Sequence, residues 1–148
     1  MTQHPIEILL VEDDPDDAEL TIRGLKESNV ANRLELVTDG AQALDFLFSK
    51  GAYATEDAGA TIPKVVLLDI KLPKVSGLEV LREIKADART RNIPVVMLTS
   101  SSEDRDLKEA YQLGANSYVV KPLDLKQFIQ ATRQIGLYWI LLNQPPRL

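Results

Sequence analysis

The sequence predicts an α/β fold, a five-stranded parallel sheet with helices on both faces. Three observations predict it. Short apolar, β-favouring runs alternate five times with segments of helical periodicity. One run, Val65–Leu68, is apolar throughout, as a strand buried on both faces is. Most runs end directly in a polar group, and in a parallel sheet such ends share one edge, where open α/β sheets place their ligands.

Residues 6–11 are apolar except Glu7 and read as the first strand, ending in Glu12, Asp13 and Asp14. Asp14 before Pro15 is a helix start, an N-cap carboxylate followed by proline at the first helical position. Ala18, Ile22 and Leu25 keep helical spacing and set the first helix at about Pro15–Glu27. Leu34, Leu36 and Thr38 alternate with polar residues in a second, more exposed strand. Ala43, Leu44 and Leu47 stripe a second helix over residues 41–49. Residues 51–64, with Gly51, Gly59 and Pro63, form a polar connection of a length uncommon in compact domains. After the third strand, Ser76 and Glu79 suggest a capping box opening a helix with Val80, Leu81 and Ile84 inside. Residues 93–98 form the fourth strand, with Pro94 near its start. Ser100 with Glu103 suggests the cap of a fourth helix, which carries Leu107, Ala110, Tyr111 and Leu113 and stops at Gly114. Residues 118–120 are a short fifth strand before Lys121 and Pro122. Leu125, Phe128, Ile129, Thr132 and Ile135 mark the inner face of a last helix. This alternation calls for right-handed crossovers and a doubly wound, flavodoxin-like sheet.

A chain of 148 residues, 45% hydrophobic and 26% charged, suits one globular domain of ordinary size. The net charge of −5 argues against non-specific nucleic-acid binding. With no cysteine there are no disulfides, thiolate nucleophiles or cysteine metal sites, which suits a cytoplasmic location. Residues 1–5 carry no signal pattern, and the longest apolar run, Leu137–Leu142, is far too short to span a membrane. Neither a glycine-rich dinucleotide fingerprint nor a phosphate-loop motif follows the first strand.

The strand ends deliver Glu12 and Asp13, Asp69, Thr99 and Lys121 to one edge. Taken singly each has a plain structural reading: a solvated turn, a cap, a strand-end lysine. Together they form a chemical set. Three close carboxylates repel unless a cation sits among them, and an incomplete all-oxygen set that leaves room for water and phosphate suits Mg²⁺. With the metal present, one carboxylate can attack phosphorus and form an aspartyl phosphate, while an ammonium group stabilises the phosphoryl charge.

At these residues the sequence resembles the receiver domain of two-component response regulators. The resemblance covers residues 6–134: the acid pair Glu12 and Asp13, the Asp69 to Pro73 and Gly77 turn, Thr99, and Lys121 with Pro122. It implies a sheet order of 2-1-3-4-5 and a phosphoryl group accepted by Asp69 from a sensor histidine kinase. It implies Mg²⁺ held by Asp13, Asp69 and the backbone carbonyl of Lys71, with Glu12 acting through water. Thr99 and Tyr118 would be the switch pair, and the Lys121–Pro122 bond is often cis in such domains. The long 51–64 connection and the C-terminal tail resemble the stand-alone regulators that partner bacterial phytochromes, notably cyanobacterial ones, which form homodimers.

The expected layout is a receiver domain over residues 1–134 and an interaction segment over 135–148, with no output domain. Residues 135–142 are uncharged and cover every face of a helix, so some must be buried against another body. Leu137, Tyr138, Trp139, Leu141 and Leu142 are the candidate dimer contacts; folding of the tail onto its own domain is the alternative. His4, the only histidine, is given no role. Three rivals stand beside the switch. They are a phosphorelay intermediate that hands its phosphate to a histidine phosphotransfer protein, an Asp-nucleophile phosphatase, and a scaffold that never uses its site. The phosphatase needs a second acid two residues after the nucleophile, where Lys71 stands.

Overall fold

A computed structural model describes residues 6–29, 33–54 and 62–144. The strands are β1 (Ile8–Val11), β2 (Leu34–Val37), β3 (Val65–Leu68), β4 (Val95–Thr99) and β5 (Ser117–Val120). All pair in parallel, in the order β2-β1-β3-β4-β5. The helices are α1 (Pro15–Glu27), α2 (Gly40–Leu47), α3 (Gly77–Ala86), α4 (Asp104–Gln112) and α5 (Leu125–Gly136). The three central strands are buried at every residue, whereas β2 and β5, on the edges, are half-exposed. Continuous apolar runs thus took the middle of the sheet and the alternating run took an edge, as burial on two faces or one requires.

Side chains alternate between two cores, as the strand period of two demands. Leu9, Val11, Val66, Leu68, Val95 and Met97 meet α2, α3 and α4 through Leu47, Leu81, Ile84 and Ala110. Ile8, Leu10, Val65, Leu67, Val96 and Leu98 meet α1 and α5 through Leu25 and Ile135.

Local chemistry sets the helix starts. Asp14 caps α1 by accepting from the amides of Asp16 and Asp17, with Pro15 next in the chain. Ser76 caps α3 by accepting from the Glu79 amide at 3.2 Å, while the Glu79 carboxylate pairs with Arg82. Glu103, not Ser100, is the N-cap of α4, and Ser101 Oγ accepts from its amide at 3.3 Å. The fourth strand begins at Val95, two residues later than expected, because Pro94 has no amide to donate. Gly114, at φ +105°, follows α4 in the left-handed conformation expected of a C-terminal glycine. Leu125 is not on the inner face: it lies in the first turn of α5 beside Leu123 and is 54% exposed. No cis peptide bond occurs among the described residues, so Lys121–Pro122 is trans.

The 134/135 boundary falls inside α5, which runs into wider π-type turns over Leu137–Leu142. Trp139 and Ile140 pack on the α1 and α5 side of the sheet. Tyr138, Leu141 and Leu142 remain 50%, 59% and 64% exposed. The tail therefore divides: one side covers its own domain, and the other is exposed among the described residues. Gly59, His4 and Pro145–Pro146 lie outside the described residues. Among the described residues no helix is long and apolar enough to cross a membrane.

Candidate functional site

Register brings the site together. Val11 pairs with Leu68, so Glu12 and Asp69 leave the sheet side by side. Thr99 pairs with Val120, so Lys121 follows at the same level. The result is an open pocket of about 420 Å³ at the carboxyl edge, lined by Glu12, Asp13, Asp69, Lys71, Thr99 and Lys121 among others. Every strand-end group expected from the sequence is present there. Glu12, Asp13 and Asp69 offer carboxylate oxygens that all lie within 4.8 Å of one another. That set is oxygen-only, with one exposed member, and fits a hard divalent cation that keeps part of its water.

The Lys121 ammonium sits among the acids. It donates to Glu12 Oε1 at 2.6 Å, Asp69 Oδ2 at 2.8 Å and Asp17 Oδ2 at 2.9 Å. Burial disfavours its charge, but the hydrogen bonds it donates to Asp69, Glu12 and Asp17 and the Asp69 charge outweigh it, holding the amine above the ordinary lysine range. Glu12 is raised as well, which for an acid favours the uncharged form. Burial raises it to about 7, against the Lys121 hydrogen bond and charge, with help from the neighbouring Asp69 charge. Asp69 is fixed at both oxygens: Oδ1 accepts from the Ile70 amide at 2.7 Å and Oδ2 takes Lys121.

The turn after Asp69 is braced from two sides. The Gly77 amide donates to Ile70 O at 2.7 Å, and a side chain on Gly77 would overlap the Asp69 carbonyl oxygen. The Gly40 amide donates to Pro73 O at 3.3 Å, and Lys74, at φ +68°, pairs with Asp39 at 3.6 Å. Lys71 is exposed on the pocket rim.

Thr99 is buried and its hydroxyl accepts from the Ser101 amide at 3.3 Å. Tyr118 donates to Ser101 O at 2.9 Å, and Ser101 Oγ donates to Asp106 Oδ2 at 2.6 Å. Thr99 and Tyr118 thus meet through Ser101 rather than directly. Two members escaped sequence reasoning, Asp17 and Asp106, since each reads as an ordinary acid in a first helical turn. A signal for Asp17 existed: helical side chains lean toward the N-terminus, and α1 starts at the site.

Residues 8–133 match the model of the response regulator receiver domain family. The chain is 42% identical over 144 residues to the probable methanogenesis regulatory protein FilR2 of Methanothrix harundinacea, covering 97% of this chain and 90% of that one. It is 38% identical over 136 residues to the response regulator Rcp1 of a Synechocystis strain, covering 92% and 90%. A Mn²⁺-bound structure of Rcp1 superposes with a TM-score of 0.87 at 36% identity, over 97% of this chain and all of that one. The phosphorylated cyanobacterial phytochrome response regulator RcpA superposes at 0.88 and 35% identity, again over 97% and all of the other chain. The chain belongs to the response regulator receiver domain family. The resemblance to phytochrome response regulators read from the sequence is borne out.

Proposed function

We propose that this chain is a phosphorylation-dependent switch in two-component signalling, with Asp69 accepting a phosphoryl group from the phosphohistidine of a sensor kinase. The observation that carries the reading is the meeting of Asp69, Glu12 and Lys121 within hydrogen-bond reach at one edge of the sheet, with an Asp13 oxygen within 4.8 Å of the other two carboxylates. An Asp69 oxygen attacks phosphorus, the P–N bond breaks, and the imidazole leaves with a proton. Asp13, Asp69 and the Lys71 carbonyl, with Glu12 through water, would hold Mg²⁺, which would supply charge neutralisation at the phosphoryl oxygens. Lys121 donates to one phosphoryl oxygen. Thr99 turns its hydroxyl to another, which frees the Ser101 amide and loosens the tie to Tyr118. The kinase is a phytochrome by likeness to RcpA, and the setting is the cytoplasm, where kinase domains meet ATP. Onward transfer to a histidine phosphotransfer protein is the same chemistry in reverse. A phosphatase role is disfavoured because Lys71 stands where such an enzyme carries its second carboxylic acid.

Incubation with acetyl phosphate and Mg²⁺ is expected to add one phosphoryl group, stable in acid and released by base. Asp69→Asn is expected to take none. Label retained in Asp69→Asn would remove Asp69 from the role, and repeated turnover of a phosphate ester would favour the phosphatase.

Two copies associate, in this reading, through the free side of the tail, where Tyr138, Leu141 and Leu142 are exposed. Leu137 is half-buried and Trp139 packs on its own domain, so these contribute less than the other three. Light scattering is expected to give a dimer mass for the wild type and a monomer mass for Leu141→Ser with Leu142→Ser. An unchanged mass would place any dimer elsewhere, the face of α4, β5 and α5 being the alternative.

A further inference from the structure

An ammonium group has three N–H donors, and Lys121 spends all three on carboxylates. Two of those acids, Glu12 and Asp69, belong to the group that can hold a cation. The third, Asp17, does not. When a cation and a phosphoryl group engage the first two, the Lys121 contacts to them must be remade. The contact to Asp17 has no such competitor.

Asp17 is also firmly mounted. It stands in the first turn of α1, its amide donates to the Asp14 cap at 3.2 Å, and its carbonyl accepts from the Thr21 hydroxyl at 2.7 Å. Thr21 is completely buried. Acids in a first turn are common because they suit the helix dipole. Asp16 serves that purpose equally, but it is exposed, whereas Asp17 is tucked to 27% exposure against Lys121.

We propose that Asp17 is a positioning residue for phosphotransfer: it is the fixed pivot that holds the Lys121 ammonium over Asp69 while Glu12 and Asp69 turn to the metal and the phosphoryl group. The inference rests on the phosphoacceptor reading of Asp69. Its physical content is orientation. A lysine released from its pivot keeps its charge but loses the alignment that makes a positioned group effective.

The test compares Asp17→Ala, Asp17→Asn and Asp16→Ala in the full chain. With acetyl phosphate and Mg²⁺ both saturating, Asp17→Ala is expected to slow phosphorylation about tenfold, with little change in the Mg²⁺ concentration giving half-maximal rate. Asp17→Asn keeps an oxygen acceptor and is expected to recover most of the rate. Asp16→Ala removes the same helix-dipole charge and is expected to match wild type. Equal rates in wild type and Asp17→Ala, or an equal loss in Asp16→Ala, would overturn the proposal. A second arm does not depend on phosphorylation. In ¹H–¹⁵N spectra recorded with saturating Mg²⁺, when Glu12 and Asp69 are turned to the metal, a slowly exchanging Lys121 ammonium signal, assigned by its loss in Lys121→Arg, is expected in wild type and absent in Asp17→Ala. Persistence of that signal in Asp17→Ala also overturns the pivot. Wild-type protein that takes no label overturns the phosphoacceptor reading instead, and the spectra still decide whether Asp17 holds the ammonium.

Discussion

Lys121→Met is expected to destabilise the metal-free protein by about 3–5 kcal/mol at about pH 8. Methionine keeps most of the stem and its packing, so the loss isolates the charge. Glu12 and Asp69 are 2% and 8% exposed and would face each other with no cation between them. Removing one partner of a buried ion network costs far more than an exposed pair, because the remaining charges stay desolvated. The carboxylates can escape only by taking protons. Glu12 already sits at about 7 with Lys121 in place, and without it the group moves higher. An acid raised in the folded state contributes stability that is present below its unfolded value, about 4.3, and is lost as pH rises through its folded value. The deficit of Lys121→Met is therefore expected to be small near about pH 5 and to grow above about pH 7. Mg²⁺ is expected to restore stability and to bind the variant at least about tenfold more tightly, since a competing unit charge has gone. Urea melts across pH, with and without Mg²⁺, measure all three. A deficit indifferent to pH and to Mg²⁺ would mean that Lys121 acts by packing alone.

Gly77→Ala is expected to cost about 3 kcal/mol or more and to lose most phosphorylation at the same time. Overpacking can usually be relieved by a side chain moving aside. Here the obstacle is backbone: the added carbon would overlap the carbonyl oxygen of Asp69 and crowd the Ile70 Cα at 2.8 Å. Gly77 is also tied in place, because its amide donates to Ile70 O at 2.7 Å and Ser76 beside it caps α3. Either the start of α3 moves out or Asp69 moves back, and the second displaces the nucleophile from Lys121. Denaturant melts read the first effect and acetyl phosphate labelling the second. Wild-type stability together with wild-type labelling would show that the turn has slack its geometry does not suggest.

Much of this was legible in the chain. The continuous apolar run at 65–68 identified a central strand because only burial on both faces tolerates it. Asp14 with Pro15 located the start of α1 because cap and proline chemistry are local. The site residues could be found because strand ends in a parallel sheet share an edge whatever the tertiary detail. What was hidden depends on orientation across elements. Asp17 joins the site through the rotation of α1 about its axis, which spacing alone does not give. Ser101 links Thr99 to Tyr118 through its own backbone groups, which any residue carries and no sequence displays. Leu125 fitted a helical stripe, but a stripe is buried only where something lies opposite, and the first turn of α5 is exposed.

The division of the tail has an optical consequence. Trp139 is the chain's single tryptophan. It lines a hollow with Ile62, Pro63, Ile93 and Pro94, residues that precede β3 and β4, so it belongs to the amino ends of the strands and Asp69 to the carboxyl ends. Its near neighbour Tyr138 stands edge-on at 4.9 Å with its ring half-exposed. The protein thus carries its own chromophore at the end away from its chemistry. Its emission is expected to gauge the seating of the tail and what settles beside it, and to respond little to a metal ion arriving among the acids at the opposite strand ends.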